Sequence, residues 1–509
     1  NFDVQFTVPG SVDVTEGGEC TFAVSGGGKS PLTTDTFILE SDAGISYVCP
    51  IVNTTSGSFT VRLADGCETG YYKVFVKRDA RKKSFGRIYI NIVEDIDFKP
   101  DAGTTVYGIV SSAGVGVENV VVSDGAEVTV TNEKGIYQLK SAKKWGYVFI
   151  SVPSGYEVPS VGVLPQFHRA LKNSADVVER ADFKLEKVDG QDSYKIFMLG
   201  DMHLANRTGD LGQFAQFTSD LTDYMTRHKG EKMYALTLGD MTWDLYWYSN
   251  SYYFPQYLNT VNSQIKNLQI FHTMGNHDND FQTRSDYDAA VKYVDQICPT
   301  YYSFNIGKVH YVVMDDIDCS SYDGSTSRNY VKSLSAEQLD WLAKDLSHVA
   351  KTTPVVVAMH AQVFYPTTSG FKIDHDQVNT LRLFDILDGY TVRFVTGHTH
   401  KLFNVTPDAP IVDGHNFREY NSGSVCASWW WSGNLTPGIH IGTDGTPGGY
   451  GIWDVTGTDF QCLYKSTGWP EEYQFRSYDL NNVHFSMADV PLMPSDISAS
   501  AVSYTHLRA

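Results

Sequence analysis

Between Lys195 and Thr396, short hydrophobic runs repeatedly break off at an Asp, Asn or His. KIFML leads into Gly200-Asp201-Met202-His203, YALTL into Gly239-Asp240, and QIFHTM into Gly275-Asn276-His277-Asp278. Further on, PVVVAM leads into His360 and TVRFVT into Gly397-His398-Thr399-His400. A short apolar run bounded by such residues predicts a buried strand. Between the runs the apolar spacing turns helical, as in EQLDWLAKDL, and helices are predicted over Phe214 to Lys229, Pro255 to Ile265, Tyr287 to Ile297, Ala336 to Val349 and Leu381 to Leu387. Strands alternating with helices imply a layered α/β domain. A strand that stops at a ligand sets that ligand on a loop at the C-terminal edge of the sheet, where open α/β folds bind their ligands.

The flanks have another rhythm. Phe2 to Glu94 reads as short alternating strands, FDVQFTV, CTFAV, SFTVRL, YYKVFV and RIYINIV, divided by Gly- and Ser-rich turns, which suits an immunoglobulin-like sandwich. Asp97 to Asp189, beginning YGIVSSAGVGVENVVVSDGAEVTVTNEKGIYQLK, is also β-rich. After Phe403 the pattern returns to β in SGSVCASWWWSG, DGTPGGYGIWDV and FQCLYKSTG, while Val502 to Ala509 continue no pattern and read as foreign to the natural chain. The expected domains are therefore 1–95, 96–190, 191–415, a partial C-terminal β-rich module over 416–501, and the tail 502–509.

Composition narrows the classes. With 509 residues, several domains are the natural expectation. Forty Lys and Arg against 59 Asp and Glu give 40 − 59 = −19, which opposes binding to a nucleic-acid backbone through a general basic face. No run is long and apolar enough for a membrane helix, and the start at Asn1 suggests a processed or truncated chain. The 7 cysteines fit no metal spacing and are too few for a disulfide scaffold; Cys20, Cys49 and Cys67 could supply one bridge in the first segment or remain buried thiols.

The residue types at the strand ends point to metal ions. Two neighbouring divalent cations repel each other, so they need a bridging carboxylate, which Asp240 suits, and hard or borderline N and O donors around them. Asp201 and His203, at i and i+2 on an extended exit, can both turn to one ion, and His398 and His400 repeat that spacing. Neutral imidazole serves Zn, Mn and Fe alike, and no Cys pair nearby suggests a structural zinc cluster. Any one of these residues alone is more readily a cap or turn former than a ligand. The ordered set is what carries the reading. His272 and His310, inside strand-like runs, are expected to be packed or paired there, and His415 to lie in a loop.

This order of blocks, D-x-H, GD, GNH[DE], a lone His and G-H-x-H over Tyr194 to Phe403, resembles the calcineurin-like metallophosphoesterases. By position, the resemblance implies one ion on Asp201, His203 and His400 and another on Asn276, His360 and His398, bridged by Asp240. It implies two divalent metal ions (Mn, Zn or Fe) and a water nucleophile activated by them, with no covalent phosphoenzyme. His277 would face the substrate phosphate and protonate or stabilise the leaving oxygen, with Asp278 orienting its ring and holding it charged. The fold implied is a four-layer αββα sandwich. The segment 96–190 resembles a carboxypeptidase-regulatory or transthyretin-like β-sandwich, and the whole string resembles secreted Bacteroides-type multidomain phosphoesterases with N-terminal β-modules and a C-terminal β-module. Export to the periplasm or cell surface follows from that likeness.

Two details bear on subtype and substrate. Purple acid phosphatases carry a tyrosine three residues after the bridging aspartate, where this chain has Trp243, so a ferric-tyrosinate centre is not expected. Asp244, four residues after Asp240, is a further candidate partner of a site histidine, although relatives carry such a group slightly closer. The aromatic run Trp243, Tyr246, Trp247, Tyr248, Tyr252, Tyr253 and Phe254 could stack a nucleobase, sugar or other flat group, or else pack the loop; packing is expected for Trp429, Trp430 and Trp431. The expected substrate is a phosphorylated small molecule or phosphodiester, with another ester such as a sulfate also open. The competing class is a surface-binding or adhesion protein with an inactive phosphoesterase-like domain. A relic should have lost at least one ligand, and none is missing.

Overall fold

The computed structural model describes residues 2–207, 209–326, 328–430 and 440–475. Trp431 and the tail 502–509 lie outside the described residues. Two compact units are present, Asn1–Ile150 with Gln166–Glu186, and Ser151–Pro165 with Lys187–Ala509.

The first unit is built of strands. Its first seven form one path in the order Ser11–Val14, Arg81–Ile92, Gly70–Arg78, Thr36–Ser41, Ser46–Thr54, Ser58–Arg62 and Glu19–Ala23. Alternate residues face inward, so Phe22, Phe37 and Phe59 meet in one core, joined by Phe6. FDVQFTV makes only isolated bridges at Val4 and Phe6, although both side chains are buried. Cys20, Cys49 and Cys67 are buried free thiols in this core. Farther along, Val121–Ser123 lies between Val128–Val130 and Tyr147–Ile150, while Val106–Ser112 pairs with Ile136–Leu139.

The second unit contains, in chain order, strands β1 (Ser193–Leu199), β2 (Lys232–Thr237), β3 (Ile270–Phe271), β4 (Tyr302–Ile306), β5 (Val309–Val313), β6 (Val355–Ala358), β7 (Val392–Thr396), β8 (Phe403–Val405), β9 (Phe417–Asn421), β10 (Gly449–Thr456) and β11 (Asp459–Ser466). Its helices are α1 (Asp210–Arg227), α2 (Phe254–Gln264), α3 (Asp286–Gln296), α4 (Ala336–Leu346) and α5 (Gln377–Leu387). One sheet runs β3-β2-β1-β10-β11 and the other β4-β5-β6-β7-β9-β8. β1, β2 and β3 are parallel, as are β5, β6, β7 and β9, so the chain leaves these strands at the same edge of each sheet. β10 and β11, in the segment read from sequence as a C-terminal module, extend the first sheet, with β10 antiparallel to β1.

Apolar side chains of the two sheets meet. The Phe271 and Phe304 rings stack at 3.8 Å, Trp453 meets Tyr420 edge-on at 5.6 Å, and the buried hydroxyls of Tyr194 and Tyr311 bond at 2.7 Å. Helix α1 lays Phe217 and Tyr224 on Tyr450 and Phe197, and α5 lays Phe384 on Phe394 and Phe417. Helices α3, α4 and α5 begin at N-caps Ser285, Ser335 and Asp376, whose side-chain oxygens accept backbone N–H bonds. Helix α5 starts ahead of the predicted Leu381 because its first residues include exposed Val378, which breaks the apolar stripe without breaking the helix. Among the described residues, no helix is long and apolar enough to cross a membrane.

Candidate metal centre

All seven expected ligands converge beyond the ends of the parallel strands. Parallel register sets Leu199 of β1 beside Thr237 of β2, so Asp201 and Asp240 leave adjacent strands at nearly the same level. In the other sheet Ala358 pairs with Val395, which brings the exits to His360 and His398 together. The exits are joined by backbone bonds: His203 N–H donates to Asp240 O at 2.8 Å and Gly397 N–H to His360 O at 2.8 Å.

The turns are conformationally expensive. Asp201, His203, Asp240, His398 and His400 all have positive φ, between 46° and 68°. Such a backbone costs about 1–3 kcal/mol at a non-glycine residue and persists only where its surroundings hold it, commonly at functional sites. Two glycines are required by contact. A Cβ at Gly239 would lie 2.3 Å from His360 Nδ1, and one at Gly275 would lie 2.3 Å from both the backbone N and Oδ1 of Asp240. The G-D and G-N pairs in the sequence therefore reflect ligand side chains filling the space beside each glycine.

Asp240 lies between two donor groups. Its Oδ1 accepts from the His277 backbone N–H at 2.8 Å, and its Oδ2 stands 3.4 Å from His203 Nε2 and 3.2 Å from His360 Nε2. On the first side, His400 Nε2 is 3.1 Å from His203 Nε2 and 3.3 Å from Asp201 Oδ1. On the second, His360 Nε2 is 2.9 Å from Asn276 Oδ1 and 3.1 Å from His398 Nδ1. Asp201, His203, Asp240, Asn276, His360 and His400 are almost fully buried, whereas His398 is half-buried.

The donor chemistry fits a cation. His400 Nδ1–H donates to Ala427 O at 3.0 Å and His360 Nδ1–H to Leu238 O at 2.7 Å, which leaves the Nε2 of each as a lone pair. Those lone pairs face carboxylate oxygens and other imidazole nitrogens. The approach is repulsive unless a cation or a proton lies between. Where a proton takes that place, it sits on an imidazole beside an ionised carboxylate. Burial pulls the His360 imidazole down, but Asp240 outweighs it and the ring is pushed up to about 10. Burial likewise opposes His400, yet Cys426 and then Asp201 outweigh it and hold the ring well above the usual range. Burial drives His203 and His398 well below it. Alternating charged and neutral imidazoles around two carboxylates is the arrangement that a divalent cation replaces. Asp240–His360–His398 and His203–Asp240–His277 each bring their donor atoms within 4.8 Å of one another. His203, His400 and Cys426 form a third such group, but His400 Nδ1, the atom nearest the thiol at 3.8 Å, already donates to Ala427 O.

His277 stands beside these groups with its side chain 20% exposed, the accessible histidine of the GNHD block. Asp278 does not orient it. Both Asp278 oxygens turn inward, accepting from the N–H groups of Met241, Thr242 and Gly275 and from Thr242 Oγ1, so this carboxylate braces the two ligand loops. Burial, with Asp240 second, raises Asp278 to about 7. The partner of His277 is Asp244, whose Oδ1 accepts from Nδ1–H at 2.7 Å. The short 3-10 turn Asp244–Tyr246 brings this fully buried carboxylate back to the ring. Burial opposes the charge on His277, but Asp240 and then Asp244 outweigh it and raise the imidazole.

Trp243, Trp247, Tyr252 and Phe254 of the aromatic run are buried and pack the loop, whereas Tyr248 is exposed. Trp247 is 2% exposed, its Nε1–H donates to Thr242 Oγ1 at 3.0 Å, and its ring lies against Tyr253 and Phe254. Trp243 meets His203 edge-on at 5.1 Å. Trp429, half-buried, has its ring centre 4.5 Å from that of His400. Trp430 is buried and donates Nε1–H to Met202 O at 2.7 Å. His272 and His310 are paired within the core, with Tyr257 and Asp345, and His415 stacks on Phe417.

Two buried acids were not singled out from sequence. Asp316 accepts from the N–H groups of His360 and Ala361 and from His375 Nε2 at 2.7 Å, fixing the loop that presents His360. Glu419 on β9 accepts from the N–H groups of Val363 and Phe364 and from Thr396 Oγ1, tying that loop to β7. Asp316 comes second after the run YVVM, behind Asp315, so it shares the stop pattern of the ligands. Glu419 sits inside a strand, where nothing local marks it.

Three family models match in succession: N terminal of Calcineurin-like phosphoesterase over 104–188, Calcineurin-like phosphoesterase over 194–402, and C terminal of Calcineurin-like phosphoesterase over 419–492. No curated protein matches the chain. Among solved structures, a DUF4784 family protein from Bacteroides caccae shares 10% identity over 29% of this chain and 37% of its own, with a TM-score of 0.15. The DIP-gamma IG1+IG2 structure shares 11% identity over 36% of this chain and 98% of its own, with a TM-score of 0.12.

Proposed function

The chain belongs to the calcineurin-like phosphoesterases, and from that premise we propose that it hydrolyses a phosphate ester at a centre for two divalent metal ions. The observation that carries the proposal is the double donor set around Asp240 Oδ2, with Asp201, His203 and His400 on one side and Asn276, His360 and His398 on the other. Cations bound there supply Lewis-acid polarisation of the phosphoryl group and lower the pKa of water. The carbonyls of Ala427 and Leu238 fix the tautomers of His400 and His360, so each presents Nε2 to the centre. His277 holds a proton on Nε2 for the leaving oxygen, and Asp244 accepts from Nδ1–H, orienting the ring and stabilising its charge.

The two sheets with helices α1 and α5 against them support the four-layer αββα reading, and the β-rich flanks support a multidomain exported enzyme. Convergence of all seven ligands argues against an inactive, surface-binding relic. The test is the initial rate of p-nitrophenyl phosphate and bis-p-nitrophenyl phosphate hydrolysis by Mn2+-loaded protein, with and without chelator. Chelator-sensitive turnover supports the proposal, and the rate ratio assigns monoester or diester preference. Absence of turnover on both substrates by metal-loaded protein counts against it.

A further inference from the structure

A cleft of about 360 Å3 opens beside His398, lined by Lys332, Gln362, Tyr365, Lys372, Asp374, His398, Thr399 and Lys401. Three lysines among eight lining residues stand out in a chain whose net charge is −19. Asp374 is the only carboxylate of the lining, so the formal balance is three positive charges against one negative, or 3 − 1 = +2.

The lysines differ in how they are held. Lys332 is ion-paired to Asp374 Oδ2, which Gln362 also reaches, so this ammonium is held in place within the lining. Lys372 lies 3.6 Å from Asp374 Oδ1 with its side chain 59% exposed, and among the described residues Lys401 Nζ meets Tyr365, its hydroxyl at 3.5 Å. One carboxylate cannot neutralise all three. The cleft is also tied to the reaction centre by sequence: Lys401 follows His400, Thr399 lies between the two last ligands, and Gln362 is two residues after His360. Tyr365 and Lys372 project from the hairpin Phe364–Thr367 and Gly370–Ile373, which forms its outer wall.

We propose that this cleft is a subsite for a second anionic group on the substrate, so that the preferred phosphoester carries another phosphate or a carboxylate near the scissile one. The inference rests on the phosphoesterase reading, because His398 joins the cleft to the proposed metal centre. Metal ions attract any phosphoester, whereas a cleft of net charge +2 rewards only a ligand that brings a second negative charge. Loss of a charge-assisted hydrogen bond to such a group is worth on the order of tenfold in affinity per lysine.

The probes are propyl phosphate, propane-1,3-diol bisphosphate and 3-phosphonooxypropanoate, with the wild-type protein, Lys372→Ala/Lys401→Ala and Lys372→Arg/Lys401→Arg. For wild type, kcat/KM on at least one of the two probes that carry a second anionic group should exceed that on propyl phosphate by tenfold or more. The bisphosphate and carboxylate arms separate the two anion types. In the alanine variant that ratio should fall towards one, and the arginine variant should restore most of it. Calorimetric binding of the same three probes should give the same ranking independently of turnover. Equal affinity for all three in wild type, or a preference that survives the alanine variant, overturns the subsite. Loss of turnover on every probe with the binding ranking intact would instead overturn the phosphoesterase reading alone.

Discussion

Replacing Asp244 by Asn isolates the contribution of charge behind His277. The carboxylate is fully buried and its Oδ1 receives His277 Nδ1–H at 2.7 Å. An amide oxygen can accept the same bond, so orientation is kept while the negative charge is removed. A hydrogen bond to a charged group is worth about 1.5–3 kcal/mol against about 0.5–1.5 for a neutral one. The difference of about 1.4 kcal/mol predicts a loss of about tenfold in kcat wherever His277 must donate a proton to the leaving oxygen. Alanine, which also releases the ring, should lose about 100-fold or more on the same substrates. The assay compares phenyl phosphate, whose leaving oxygen needs a proton, with p-nitrophenyl phosphate, whose leaving group departs readily as an anion. The loss should be concentrated on phenyl phosphate. Because burial raises the Asp244 carboxyl, the Asn variant should be at least as stable as wild type in urea unfolding. Equal losses on both substrates, or no loss on either, would refute the assignment of His277 as proton donor and Asp244 as its positioning residue.

Trp247→Ala should act through folding: removing a ring 2% exposed costs about 3–5 kcal/mol, seen as a lower urea midpoint, and a selective rise in KM without destabilisation would contradict this. Gly275→Ala drives a Cβ to 2.3 Å from Asp240 Oδ1, so metal retained after dialysis should fall sharply; full retention would show that the loop can yield. Glu419 is raised by burial from 4.5 to about 7, so it is protonated in both states below about 4.5 and only the unfolded chain has lost the proton between 4.5 and 7. Stability should therefore fall as pH rises through that window, by about 3 kcal/mol from this group, and the wild-type decline between pH 4.5 and 7.5 should be smaller in Glu419→Gln; parallel curves would refute it.

The clustering of the expected donors was legible because they follow closely on buried strands that stop at one edge, so hydrophobic runs and the residues after them encode both the sheets and the place where these side chains meet. Asp316 obeys the same rule after YVVM and could have been read in the same way. Asp278 was misread because adjacency to His277 suggested contact. The 3-10 turn points its carboxylate at backbone N–H groups, and a residue 33 positions away in the chain supplies the partner. Glu419 was hidden because an acid beside Arg418 reads as a solvated, paired surface charge; only the period-two alternation with Phe417 and Asn421 places it inward. The aromatic run was ambiguous for a different reason. Stacking and packing call for the same residues, and the exposure that separates them belongs to the folded chain. Helices appeared at the predicted places; α1 and α5 start four residues earlier than expected, since caps and exposed first turns lie outside the apolar stripe, while α4 starts at Ala336 as expected.

The central claim is a centre for two metals bridged by Asp240. Its most direct test is the metal content per chain, by elemental analysis, of wild type and Asp240→Asn after loading with Mn2+ or Zn2+ and removal of excess, paired with p-nitrophenyl phosphate turnover on the same samples. Two equivalents in wild type, fewer in the variant, and turnover that tracks the metal content are the predicted result. One equivalent or none in wild type, or turnover indifferent to metal content, would contradict the account.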